Sequence, residues 1–281
     1  LTTKARTVGL GFSSVIGSNL PSMTTSILSH LDDGVMTITL NRPDVFNSFD
    51  QTMGRAFQQA LDDAANDASV RCVVIRGEGR AFCAGQDLKE VTSETSPGFK
   101  IIVEETYNRS IRRICAMNKP VIAAVNGVAA GAGANIALAC DVVVAKESAK
   151  FIQAFANIGL IPDSGGTYWL PRLVGMARAK ALTMLALPLT SREAQDMGLI
   201  HRSVADDLWE DAVSDLAKTL SRMPTLALGL TKQALHAGMH QSLEDQLNLE
   251  LDLQFQAAES ADYAEGVRAF LEKRPAKFTG R

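Results

Sequence analysis

Pro120-Val121-Ile122-Ala123-Ala124-Val125, then Asn126-Gly127-Val128-Ala129-Ala130-Gly131-Ala132-Gly133-Ala134-Asn135-Ile136-Ala137-Leu138-Ala139-Cys140, then Asp141-Val142-Val143-Val144-Ala145: this stretch decides the fold. Its first block is uniformly apolar, the pattern of a strand covered on both faces. Gly131 to Cys140 has the small residues of a short helix that packs closely, and Asp141 to Ala145 returns to strand composition. Upstream, Val35 to Leu40 reads as a strand stopped by Asn41-Arg42-Pro43, and Val70 to Ile75 reads as another. Between them Phe57, Ala60, Leu61 and Ala64 share one helical face, with Ser48 or Asp50 as the cap. Gly77 to Gly85 is a glycine-rich loop, and Ile101 to Met117 is predicted as one helix. Strands alternating with helices define an α/β body. After Asp206 the pattern is helical throughout: Asp207 to Arg222, Thr225 to His236, Leu243 to Glu259 and Ala261 to Lys273. A helical tail on such a body predicts docking or oligomerisation.

The chain therefore divides into a leader (1–22), a core (23–206) and a helical C-terminal region (207–281). The leader mixes Gly, Ser and scattered apolar residues without a period, and Met23 is a natural start. It is expected to be a tag or non-native segment. With 281 residues, 46% hydrophobic and 21% charged, the whole chain is ordinary for a globular protein. A net charge of −3 lacks the basic footprint of a nucleic-acid binder. No apolar run is long enough to cross a membrane. Cys72, Cys83, Cys115 and Cys140 contain no CxxC pair and sit among apolar or Ala/Gly residues. They are read as reduced, buried thiols of a cytoplasmic protein.

Three segments bear on chemistry. Asn157-Ile158-Gly159-Leu160-Ile161-Pro162-Asp163-Ser164-Gly165-Gly166-Thr167 sets one carboxylate between apolar residues and a turn that can start a helix. Desolvation there disfavours the ionised form and lifts Asp163 toward the range of a useful general base. On spacing alone the same Asp163 reads equally well as a helix N-cap. A lone base without metal ligands beside it suits moving a proton better than adding water. The loops Gly79 to Leu88 and Asn126 to Asn135 are rich in small residues, and their N–H groups can converge on a substrate oxygen. Taken alone, each reads more readily as a packing device.

Other motifs fail. Gly131-Ala132-Gly133 lacks the third glycine and downstream acid of a dinucleotide site, and neither a Walker element nor a Gly-x-Ser-x-Gly elbow is present. His236, His240 and Glu244 have ligand spacing, but Gly238 and Met239 between them favour a solvated face over a metal site.

Taken in order, Asn41-Arg42-Pro43, Gly79-Arg80-Ala81-Phe82-Cys83-Ala84-Gly85, Lys119 to Gly127, Ala137-Leu138-Ala139-Cys140-Asp141 and Ile158 to Thr167 resemble the crotonase (enoyl-CoA hydratase/isomerase) superfamily from about Met23 onward. Phe82 to Leu88, Ile161-Pro162-Asp163 and Ser260-Ala261-Asp262-Tyr263 with Glu265-Gly266-Val267 are similar to its branch that isomerises the ring epoxide of phenylacetyl-CoA. The resemblance implies a spiral of ββα turns, a C-terminal helical trimerisation region, and homotrimers or hexamers. It implies an acyl-CoA thioester substrate and no separate cofactor or metal. By position it gives Cys83 and Ala132 as the backbone oxyanion donors, and Ala84, Gln86, Asp87 and Leu88 as CoA contacts. Phe270 and Lys273 would reach the CoA of a neighbouring subunit. The two water-activating glutamates of the hydratases are replaced by Asn135 and Phe155, which with Ile158 would line the acyl pocket. Asp163 falls where isomerases of the superfamily, and a dehalogenase, carry an aspartate. The expected activity is thus conversion of the ring epoxide to an oxepin, with a Δ3-to-Δ2 shift in linear enoyl-CoA. The alternatives are a straight-chain Δ3,Δ2-enoyl-CoA isomerase, a weak hydratase, or a noncatalytic acyl-CoA-binding scaffold.

Overall fold

The computed structural model describes residues 25–281, so the leader expected at 1–22 lies outside the described residues. An antiparallel hairpin, β1 (Ile27–Asp32) and β2 (Val35–Leu40), opens the fold. Helix α1 (Gln51–Asn66) follows, and of the two candidate caps Asp50 is the one used: its carboxylate accepts the Met53 N–H at 2.7 Å. The chain then winds so that successive turns lay one strand in each of two sheets. These pairs are β3 (Cys72–Gly77) with β4 (Ala81–Cys83), β5 (Val121–Val125) with β6 (Val128–Ala130), and β7 (Val142–Lys146) with β8 (Lys150–Ile152). The short strands β9 (Leu189–Thr190) and β10 (Arg202–Val204) finish the small and the large sheet. The large sheet runs β1-β2-β3-β5-β7-β10, parallel from β2 onward, and the small one β4-β6-β8-β9. This is the ββα spiral that the resemblance implies, within the α/β class read from the sequence.

Between the strands lie α2 (Leu88–Val91), α3 (Phe99–Ile101), a π-helical stretch Ile102–Asn108, α4 (Arg109–Ala116), α5 (Ala132–Leu138), the 3₁₀ turn Ala154–Ile158, α6 (Gly166–Leu185) and α7 (Ser191–Asp196). The chain closes with α8 (Trp209–Ser221), α9 (Thr225–Gly238), α10 (Leu243–Ala258) and α11 (Ala261–Leu271). The single regular helix predicted from Ile101 to Met117 is therefore interrupted by a π-helical segment.

The period-2 pleat explains why the strands read as unbroken apolar runs. Val73, Ile75, Val121, Ala123 and Val125 point into the core with Phe57 and Leu61 of α1. Cys72, Val74, Ile122, Ala124 and Val144 point to the other face, where Trp209, Val213 and Ala217 of α8 cover them. Each fully buried Val or Ile contributes roughly 1.5–3 kcal/mol. α8, grouped on sequence with the C-terminal helices, thus acts as the outer cover of the large sheet. α10 differs: Leu253 is its one buried residue, and Leu243, Leu247, Leu251 and Phe255 are exposed along it.

Candidate active site

A cavity of about 440 Å³ opens where the ends of the two sheets meet the segments after β4, β6 and β8. Its walls are mainly apolar, with Phe99, Ile102, Phe155 and Leu160 among them, and Asp163 supplies the one carboxylate on its lining.

Asp163 precedes α6, whose N-cap is Gly165 and which receives no side-chain cap. The N-cap reading of Asp163 is thereby set aside. Its backbone carbonyl takes two bonds instead, from Gly166 N–H at 2.8 Å and from Asn135 Nδ2 at 2.8 Å. The carboxylate turns to the cavity. Burial lifts it above the ordinary carboxylate range, and the Ser164 hydroxyl, donating to Oδ1 at 2.8 Å, draws it partly back.

Asn135 does not line the cavity. It is fully buried, its Oδ1 accepts from Gln153 Nε2 at 2.9 Å, and its Nδ2 ties α5 to the carbonyl of Asp163. The expectation of an acyl-pocket Asn135 is corrected to a brace for the loop that carries Asp163. Phe155 and Ile158 do line the cavity, Phe155 buried and Ile158 exposed.

The donor side departs from the resemblance at one position. Cys83 belongs to β4, pairs with Ala129 of β6, and lies behind the cavity wall. Burial pushes its thiol up to about 12, so it stays protonated and unreactive. Its carbonyl is pressed against the start of α5: a Cβ added to Gly133 would fall 2.3 Å from Cys83 O. Gln86 stands on the wall instead. Phe49 N–H donates to Gly85 O at 2.7 Å, and Asp87 N–H donates to Phe49 O at 2.8 Å. In an extended segment neighbouring residues point their N–H groups to opposite sides, so the N–H of Gln86 turns away from Phe49. Ala132 is the first residue of α5, where the helix supplies its N–H with no partner. Gln86 and Ala132 both line the cavity, and among the described residues neither N–H has an acceptor.

Ala84 and Leu88 are on the same wall. Asp87 is turned elsewhere: its carboxylate accepts from Lys89 N–H as the α2 cap and pairs with Arg42 at 2.9 Å. Phe270 lies in the last turn of α11 and Lys273 just after it; neither is on the lining of this cavity, and Phe270 is 82% exposed. Tyr168 and Trp169 do not reach the cavity either. They meet α9 and the turn after it, with Trp169 5.6 Å from His236 ring to ring and the Tyr168 hydroxyl against His240 Nε2. The helical face proposed for His236, His240 and Glu244 is not continuous, because α9 ends at Gly238 and α10 begins at Leu243.

Tyr107, Phe99, Ile102 and Val103 also line the cavity, and sequence reasoning misses all four. From Ile101 on the stretch reads as a plain helix, and no local signal marks which of its faces meets the segment after β4.

With the geometry in place, the comparisons agree on the class. The enoyl-CoA hydratase/isomerase family model matches residues 30–281. The chain belongs to that family, the crotonase superfamily, and is an enzyme of its acyl-CoA isomerase and hydratase class. It is 47% identical over 258 residues to the 1,2-epoxyphenylacetyl-CoA isomerase of Escherichia coli, covering 91% of this chain and 98% of that one. It is 46% identical over 256 residues to a "probable enoyl-CoA hydratase" of Rhodobacter capsulatus, with the same coverage. The enoyl-CoA hydratase structure of Mycobacterium smegmatis has a TM-score of 0.85 at 31% identity, covering 90% of this chain and 98% of its own. No helix among the described residues is long and apolar enough to cross a membrane.

Proposed function

We propose that this protein is an acyl-CoA isomerase that converts 2-(1,2-epoxy-1,2-dihydrophenyl)acetyl-CoA to oxepin-CoA and shifts Δ3 double bonds of linear enoyl-CoA to Δ2. The observation that carries the reading is a single desolvated carboxylate, Asp163, on an apolar cavity that also holds the unpartnered N–H groups of Gln86 and Ala132. The positions where hydratases hold water carry Asn135, which is consumed in bracing, and Phe155, which keeps the wall dry.

In this mechanism the thioester oxygen sits between Gln86 N–H and Ala132 N–H. Each such donor is worth roughly 3–4 kcal/mol to the enolate-like transition state. Asp163 removes a proton from the carbon next to the thioester. With the ring epoxide, the ring C–C bond under the epoxide opens to the seven-membered oxepin. The proton returns to a ring carbon and leaves an exocyclic double bond conjugated with the thioester. With a 3-enoyl-CoA the proton returns at C4. Either way atoms are conserved and the base is regenerated. Ala84 and Leu88 are offered to the CoA arm. The 47% identity to an isomerase named for this ring epoxide supports the substrate.

We further propose a homotrimer or dimer of trimers. The exposed leucines of α10 and Leu235 of α9 supply its apolar face, and Phe270 and Lys273 reach the CoA of the next subunit. Sedimentation of the purified protein reads this directly, and a monomer would overturn it.

The reaction is tested by incubating the protein and Asp163→Ala with a 3-enoyl-CoA in deuterated water, then with the ring epoxide. Deuterated 2-enoyl-CoA and oxepin-CoA from the unmutated protein alone are the expected products. A product heavier by one water would make it a hydratase. Tight thioester binding without turnover of either substrate would make it a scaffold.

A further inference from the structure

Tyr107 is a cavity residue whose hydroxyl the isomerase reading leaves without a task. Its side chain is 1% exposed, and its hydroxyl donates to Gln86 Oε1 at 2.9 Å. Gln86 Nε2 in turn donates to Glu90 Oε2 at 2.8 Å, and Glu90 Oε1 accepts the Gln51 N–H at the start of α1, also at 2.8 Å. The Gln86 amide is thus held at both its oxygen and its nitrogen, on the residue whose backbone N–H faces the cavity. A buried phenol is costly to leave unpaired, so this contact is firmly fixed once formed.

The way Tyr107 reaches Gln86 is equally specific. It lies in the π-helical stretch Ile102–Asn108, where Arg109 N–H reaches back five residues to Glu104 O. A wide turn of this kind adds a residue and rotates the downstream helix out of the phase a regular helix would keep. Gln58 of α1 meets this turn: its Nε2 donates to Glu105 O at 2.6 Å and to Thr106 O at 3.2 Å, the latter also taking the Ser110 hydroxyl at 2.6 Å. The helix can come this close because residue 54 is glycine, where an added Cβ would stand 2.6 Å from Thr106 Cγ2. Glycine inside a helix costs about 0.5–1 kcal/mol against alanine, so its presence in α1 is explained by this contact. The connection runs from Gln58 to the π-turn, to Tyr107, to Gln86.

We propose that Tyr107 is a positioning residue: through Gln86 it fixes the direction of the backbone donor that polarises the thioester carbonyl, and Gln58 holds the π-turn that aims it. The proposal rests on the reading of Gln86 N–H as an oxyanion donor, and the test separates the two. Cinnamoyl-CoA is bound as a non-isomerising probe whose absorbance moves to longer wavelength when its carbonyl is polarised. The unmutated protein is expected to red-shift the bound probe. Tyr107→Phe keeps the ring packed on Phe49 and is expected to bind the probe within about threefold while losing at least half of the red shift. Its kcat for isomerisation should fall on the order of 10- to 100-fold with KM nearly constant, as expected for a misplaced transition-state contact. Gln86→Leu, which removes the partner of the hydroxyl, should give the same loss, and the double variant should be no worse than either single one. Gln58→Leu should lose part of the shift.

A purely structural role predicts a lower Tm for Tyr107→Phe with red shift and kcat intact, and that result overturns the proposal. Additive losses in the double variant overturn it too, as does a wild-type complex without any red shift. If the ring epoxide is not turned over but the red shift still depends on Tyr107, the substrate assignment falls and this proposal stands.

Discussion

On one side of the cavity, Cys83, Ala132 and Gly133 are buried and interlocked, and the proposed donors there are main-chain N–H groups. On the other, Asp163 is flanked by Ile158 and Ile161, which are 58% and 80% exposed. The donor wall is fixed by sheet pairing and close backbone contact, with small residues where the strands and α5 meet and the Gln86 amide tied to Tyr107 and Glu90. The base wall hangs on a surface loop and depends on one carboxylate and on the Asn135 amide beneath it. Exposed isoleucines around a raised-pKa acid form an apolar rim that a bound acyl group would cover. In the proposed mechanism the donors are therefore preformed, whereas the dryness around Asp163 is completed by substrate.

Each wall can be broken separately. The largest expected effect is at the base: Asp163→Asn should lower isomerisation by about 10²–10⁴-fold, read as loss of deuterium incorporation, while thioester binding persists. The same substitution should raise Tm at neutral pH. Because the folded-state pKa of Asp163 is raised, the folded protein holds this proton more tightly than the unfolded chain does. Ionising it therefore costs stability above the folded pKa, and the cost vanishes below the ordinary aspartate pKa. The Tm gain should accordingly shrink as the pH is lowered through that window.

Next comes the donor wall. Gly133→Val places carbon where Cys83 O already sits. It should drive β4 and the start of α5 apart and reduce kcat by roughly 100-fold. If activity survived, the interlock of β4 with α5 would not be what sets the donors.

Asn135→Ala should be milder in rate, about tenfold in kcat, with a stability loss of about 1–3 kcal/mol, because the buried Gln153 Nε2 is left unpaired and the Asp163 carbonyl loses one of its two donors. Chemical denaturation and steady-state kinetics on one preparation separate the two effects. The smallest effect concerns dryness. Activity should rise with pH as Asp163 ionises, at a pH above that of an ordinary aspartate. Phe155→Ala should admit water and move that rise to lower pH by lessening the desolvation of Asp163.

Much of this is legible in the chain because it is locally encoded. The unbroken apolar run at Val121 to Val125 announces a strand buried on both faces, Ser48 or Asp50 announces a cap, and an aspartate between Ile161-Pro162 and a small-residue turn announces a desolvated acid. The replacement of both hydratase glutamates by Asn135 and Phe155 is visible from the resemblance before any geometry. Tertiary structure decided the rest. Gln86 rather than Cys83 is on the wall because a backbone N–H takes its direction from pairing, here with Phe49 far earlier in the chain. Asn135 braces Asp163 because α5 and the loop before α6, 28 residues apart, come together in space. Tyr107 reaches Gln86 because a π-turn, held open by Gln58 from α1, rotates it there. Composition and periodicity report what a residue does with its near neighbours. The direction of a donor, the partner of an amide and the phase of a helix are set by contacts between segments distant in sequence, and those exist only once the chain is folded.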